Sequence, residues 1–151
     1  EDIFRGEIEE TAKMIRKAYD AGIRLLSGSE SGFALTPYGH WHARELEIFV
    51  EVLGLSEVEA ISTATKNGAW AMRMEDELGT LEEGKLADIL VIDGDPTSDI
   101  TILNDKSQLV EVISRGKRVD LSRPWPDHSP ISGWKVGNWA EEILTWDRAY
   151  G

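Results

Sequence analysis

The hydrophobic period of this chain changes once, near residue 78, and that change limits what it can fold into. Before it, apolar residues recur at helical spacing. Ile8, Ala12, Ile15 and Tyr19 share one face of a helix predicted over 7–21. Gly22 stands where a helix C-cap would be. Ile23–Leu26 is too short for a helix and reads as a buried strand. Leu46, Phe49, Val50 and Leu53 repeat the helical spacing, and Gly54 stops that element. Ser56 with Glu59 makes a capping box for a further helix over roughly 57–68, which Asn67-Gly68 closes or Ala69–Met74 extends. After residue 78 the pattern is that of strands. Ala87–Ile92 is predicted as one, ended by Asp93-Gly94-Asp95-Pro96. Val110–Ser114 and Lys117–Leu121 read as two more, joined by an Arg115-Gly116 hairpin. The first half is therefore α/β and the second mostly β.

From Ser122 onward no period is visible. This tail holds three of the five prolines and four of the six tryptophans; Trp125, Trp134, Trp139 and Trp146 are costly to leave in water, so it reads as irregular but ordered. At 151 residues the chain is long enough for one domain with a core. It begins with Glu1 rather than Met, as a processed chain or a piece of a longer one would. A net charge of -12 argues against nucleic acid and anionic membrane as partners. No apolar run is long enough to span a bilayer and no signal peptide pattern is present. The absence of Cys removes disulfides and thiolates from consideration and suits a cytoplasmic setting.

Several motifs resemble chemistry and fail on detail. Gly79–Leu86, "GTLEEGKL", nearly spells a phosphate loop. Its last position is Leu86 rather than a hydroxyl residue, Glu82 and Glu83 would repel phosphate, and a strand follows where a helix should start. A turn feeding a strand is the simpler reading. Asp93, Asp95 and Asp99 have a calcium-loop rhythm, but Ser98 and Asn104 replace the Gly and Glu such a loop requires. The stretch 28–32, "GSESG", has the glycines of a nucleophile elbow with Glu30 at the nucleophile position, and no general acid or partner base accompanies it. His40 and His42 would face one side on a strand. The sequence around them runs into a helix, where i and i+2 point about 200° apart and cannot share a metal. Glu30 itself follows an apolar segment. It is either a turn residue bonded to Ser29, Ser31 or backbone amides, or a carboxylate placed to meet a cation.

Three longer stretches together resemble the C-terminal portion of the amidohydrolase superfamily, the metal-dependent hydrolases built on a TIM barrel. "GIRLLSGSESG" looks like the eighth barrel strand, where the family usually has G-[ST]-D. "HARELEIFVEVLGLSEVEAISTATKNGAWAMRM" is similar to the helices that follow. "LGTLEEGKLADILVIDGDPTSDI" resembles the entry to a small β-sandwich domain, and "EVISRGKRVD" its next strand pair. Within the superfamily the likeness is to the imidazolonepropionase-related and Xaa-Pro dipeptidase-like branch, and it covers residues 1–121.

The resemblance implies an α/β fold: the C-terminal end of a TIM (β/α)8 barrel, its last strand and flanking helices, plus strands of a β-sandwich. Its expected boundaries are 1–77 for the barrel part, 78–121 for the sandwich strands and 122–151 for the tail. It puts Glu30 in the place of the strand-8 aspartate. That residue ligates Zn²⁺ or another divalent metal and, as general base, takes a proton from the water that attacks a carbonyl. His42 would line the substrate pocket. The implied reaction is hydrolysis of a C–N bond in a small amide, cyclic amide or dipeptide. Glu in place of Asp moves the carboxylate by on the order of 1 Å, which weighs on a tuned site.

The other metal ligands of the family lie on earlier barrel strands, and a barrel needs about 200–250 residues. The chain is therefore expected to be a fragment, inactive alone. It would associate with a missing N-terminal barrel segment, another chain or copies of itself as a homo-oligomer, to cover strand edges and apolar helix faces. The alternative is a non-catalytic or degenerate structural fragment of the same family.

Overall fold

The structure is a computed structural model and describes residues 2–31 and 41–122. The Trp-rich tail and His40 lie outside the described residues. What is described is a mixed α/β arrangement: four helices, then a three-stranded antiparallel sheet. No described helix is long and apolar enough to cross a membrane.

Helix α1 spans Asp2–Asp20, beginning earlier than its apolar spacing predicts. It ends in a paired C-terminal motif: Ile23 N–H donates to Ala18 O at 3.0 Å and Gly22 N–H to Tyr19 O at 2.8 Å. Gly22 has φ +89°, a conformation that costs glycine nothing. Ala12 of α1 is buried with Leu53 and Leu55, and Ile15, Tyr19, Leu25 and Phe49 pack around them.

The predicted buried strand at Ile23–Leu26 takes another form. Residues 23–30 form neither helix nor laddered strand, with Leu25, Ser27 and Ser29 half-buried and Arg24, Leu26, Gly28 and Glu30 exposed. That is the two-residue alternation of a strand. A strand also requires a laddered neighbour, and none pairs with this segment among the described residues. Ile23 is 60% exposed and Leu26 41%, so the apolar run is not buried here. The segment is held instead by bonds to α3 and α4: Ser27 N–H to Thr63 O at 3.4 Å and Asn67 Nδ2 to Leu25 O at 2.8 Å.

Helix α2 spans Trp41–Glu51, and Gly54, at φ +67°, turns the chain after it. The capping box forms as expected, with Ser56 N–H donating to Glu59 at 2.8 Å and Glu59 N–H to Ser56 Oγ at 3.4 Å. The helix it starts is broken in two, α3 Glu57–Ala64 and α4 Lys66–Ala71. Ser62, Thr63 and Thr65 all turn their hydroxyls back onto carbonyls of the preceding turn. Such back-bonding bends helices, and Thr65 leaves helical geometry at φ −118°, ψ −90°.

Strands β1 Ile89–Ile92, β2 Leu109–Ser114 and β3 Lys117–Arg118 lie in sequence order. Ile89 faces Ile113 and Ile92 faces Leu109, with a bulge between Val91 and Ile92. Arg115 (φ +49°) and Gly116 (φ +75°) form the predicted hairpin turn. β3 is shorter than predicted, although Val119 N–H still reaches Val112 O at 2.8 Å. The connection 93–108 folds back onto the helices. Its Ile100 is buried with Leu46 of α2 and Ala60 of α3. Beside it the buried Glu47 carboxylate accepts from Arg44 and from Asn104 Nδ2.

Candidate functional site

The candidate site is the turn that ends the 23–30 segment, held by α2. Ser27, Gly28, Ser29, Glu30, Ser31 and His42 line one open cleft of ≈ 450 Å³. Glu30 and His42, which the sequence places twelve residues apart, are thus brought to one cleft. Glu30 is exposed at the cleft rather than buried. Its backbone lies at φ +47°, a left-handed conformation costing a non-glycine residue about 1–2 kcal/mol.

Two side chains from α2 hold the turn in that shape. Gly28 N–H donates to Glu45 Oε2 at 2.7 Å. Ser29 Oγ is hydrogen-bonded to His42 Nδ1 at 2.9 Å and to Ser31 Oγ at 2.8 Å. His42 and Glu45 stand three residues apart on α2, hence one turn apart on one face. Burial pushes the Glu45 carboxyl above the usual carboxylate range, partly offset by the Gly28 bond and by His42. Sequence reading missed Glu45. The signal for it is the His42-x-x-Glu45 spacing, visible only once the helix is known to face the turn.

As a metal site these groups are incomplete. A catalytic zinc takes three protein ligands and a water. Among the described residues no three His, Cys, Asp or Glu converge, and the His42 Nδ1 is already engaged by Ser29. Glu30 can serve as one ligand of a set, not as the set.

The other candidates resolve into turns. Lys85 Nζ donates to Glu75 O at 2.7 Å, to Thr80 Oγ1 at 2.5 Å and to Glu82 at 3.1 Å, so its three N–H groups are spent inside the loop. Strand β1, not a helix, follows that loop. Asp95 accepts from Thr97 and Ser98, and Asp99 from Thr101, each closing its own turn.

Residues 5–119 match the Amidohydrolase family. The imidazolonepropionase of Bdellovibrio bacteriovorus is 35% identical over 104 residues, 69% of this chain and 24% of that protein. An Xaa-Pro dipeptidase solved with methionine in its active site superposes with TM-score 0.64 at 33% identity, over 72% of this chain and 25% of that one. The ochratoxinase of Aspergillus niger gives TM-score 0.62 at 29% identity, over 71% and 24%. The chain thus spans about a quarter of the length of these three relatives. With more than half of its residues inside the family match, the chain belongs to the amidohydrolase family.

Proposed function

We propose that this chain supplies the C-terminal portion of a metal-dependent hydrolase of C–N bonds, acting on a small amide, cyclic amide or dipeptide. The observation that carries the reading is Glu30, presented in a left-handed turn at the end of the 23–30 segment, in one cleft with His42. In this reading residues 1–77 complete a TIM barrel, 78–121 contribute β-sandwich strands and 122–151 are the Trp- and Pro-rich tail. The Glu30 carboxylate accepts the proton of the attacking water and returns it to the leaving nitrogen. His42 faces the substrate in the same cleft. A divalent metal, Zn²⁺ by family resemblance, would polarise the scissile carbonyl when bound. All but one of its ligands come from outside the described residues, supplied by upstream sequence or another chain. Supporting this, exposure over 24–30 alternates as in a strand while the segment stays unladdered among the described residues, and Ile23 and Leu26 are exposed there.

The test is Glu30→Gln and Glu30→Asp in the protein with its upstream sequence, assayed on dipeptide and cyclic amide substrates. The Gln variant is expected to lose about 10²–10⁴-fold in kcat, the usual worth of a general base, while Asp retains turnover. Equal turnover of Gln and wild type would refute the role. Calorimetric titration of the 151-residue chain with Zn²⁺ is expected to show no tight site; submicromolar stoichiometric binding would show that the donor set is complete within it. A full-length protein that binds no metal and hydrolyses nothing favours the non-catalytic alternative.

A further inference from the structure

The Glu30 turn is not shaped by its own residues alone. Glu30 stands at φ +47°, a conformation that its side chain does not favour and that the surroundings must impose. The residues on its N-terminal side are fixed from α2. Glu45 Oε2 takes the Gly28 N–H at 2.7 Å, and Ser29 Oγ is bonded to His42 Nδ1 at 2.9 Å. Glu45 is itself half-buried on α2, next to Leu46 and Glu47, which are buried in the helix packing. A bond between a backbone N–H and a carboxylate is short and charge-assisted, and here it joins a rigid helix to a turn with no ladder of its own among the described residues.

We propose that Glu45 is a positioning residue, whose carboxylate holds the Gly28 amide and thereby sets where Glu30 presents its own carboxylate. The proposal rests on reading Glu30 as the working acid of the site, and adds to it the element that aims it. Glu45 touches neither substrate nor reacting atoms; it acts through two peptide units. A glutamine keeps the acceptor oxygen, so the device tolerates Glu45→Gln and fails with Glu45→Ala.

Two measurements test this on the protein itself. By NMR of the isotopically labelled chain, Glu45→Ala is expected to speed exchange of the Gly28 amide about 10–100-fold, the loss of one charge-assisted bond. It is also expected to move the Glu30 amide and carboxyl resonances, while Glu45→Gln leaves both near wild type. Unchanged Gly28 exchange, or unmoved Glu30 resonances, in Glu45→Ala overturns the proposal. If Glu45→Ala does not fold, Glu45→Gln decides: a folded Gln variant that releases the Gly28 amide or shifts Glu30 overturns it as well. In the full-length enzyme, Glu45→Ala is expected to lower kcat about 10–100-fold with KM little changed, as removal of a supporting partner does, and Gln is expected to restore it. A loss in KM alone would overturn the assignment. Full activity of Glu30→Gln would instead sink the proposed function, leaving the NMR result standing as a statement about the turn.

Discussion

Gly79→Ala tests whether the loop 79–86 is a packed structural turn. Gly79 has φ +92°, and a methyl group added there would lie 2.6 Å from Ala69 Cβ, 3.1 Å from Thr65 O and 3.2 Å from Lys66 Cα. Carbon atoms rest at about 3.5–4.0 Å, so the methyl or its neighbours must move by about 1 Å. Two of those neighbours are backbone atoms, and Ala69 is 1% exposed, so little can yield. Left-handed geometry costs alanine about 1–2 kcal/mol and overpacking of this kind about 1–3 kcal/mol, giving roughly 2–5 kcal/mol together. Gly84 offers the control. It has φ +90° but open space around the added Cβ, so Gly84→Ala should cost only the conformational part, about 1–2 kcal/mol. Urea unfolding of both variants, followed by far-UV circular dichroism, measures the difference. A Gly79→Ala chain no less stable than Gly84→Ala would refute the packing argument.

Ile100→Ala is expected to cost about 2–5 kcal/mol, because Ile100 is 4% exposed in one cluster with Leu46 and Ala60; urea unfolding checks this, and a loss below about 1 kcal/mol would show that the connection is not tied to the helices. Glu45 has its carboxyl raised above the ordinary 4.5 by burial, so the folded state holds this proton more tightly than the unfolded. Ionisation therefore costs stability above the folded value, and the cost vanishes as pH falls below 4.5. Glu45→Gln should accordingly gain on wild type as pH rises through the folded value, and parallel urea midpoints from pH 4 to 7 would contradict it. Adding ATP should leave amide exchange over 79–85 unchanged, since Lys85 is committed to Glu75, Thr80 and Glu82; new protection there would revive phosphate binding.

Local chemistry was readable from the residues wherever one short-range rule decided it. The Ser56/Glu59 capping box, the Gly22 terminus and the Arg115-Gly116 turn each depend on a few adjacent residues, and each forms as read. Long-range pairing was not readable. Ile23–Leu26 has the composition of a buried strand, yet burial and ladder both depend on neighbours that the described residues do not supply. The break at Thr65 was hidden for another reason: helical spacing of apolar residues continues through it, and only the back-bonded hydroxyls betray the bend. At the candidate site, the position of Glu30 after an apolar run left two readings open, and the roles expected of Glu30 and His42 came from the family resemblance. Glu45 was passed over because a glutamate on an amphipathic helix reads as solvated until something is seen to face it.

The site's geometry therefore depends on α2 more than on the segment that carries Glu30. One helix directs His42 and Glu45 at the turn and, within the next two residues, sends Leu46 and Glu47 into the packing against Ile100 and Asn104. Residues three apart on a helix stay on one face, while adjacent ones diverge by about 100°, so α2 can grip both at once. A shift of α2 caused by repacking around Ile100 would be carried to Gly28 through the 2.7 Å Glu45 bond. Core substitutions far from the cleft should thus move the Glu30 carboxylate without touching it. Ile100→Val, which removes one buried methyl at a cost of about 0.5–1.5 kcal/mol, is mild enough to leave the fold intact. It should still perturb the Gly28 and Glu30 amide resonances, whereas Val110→Ala, at a strand position 61% exposed, should not. If the two substitutions leave the turn equally undisturbed, the helix does not transmit its packing to the site.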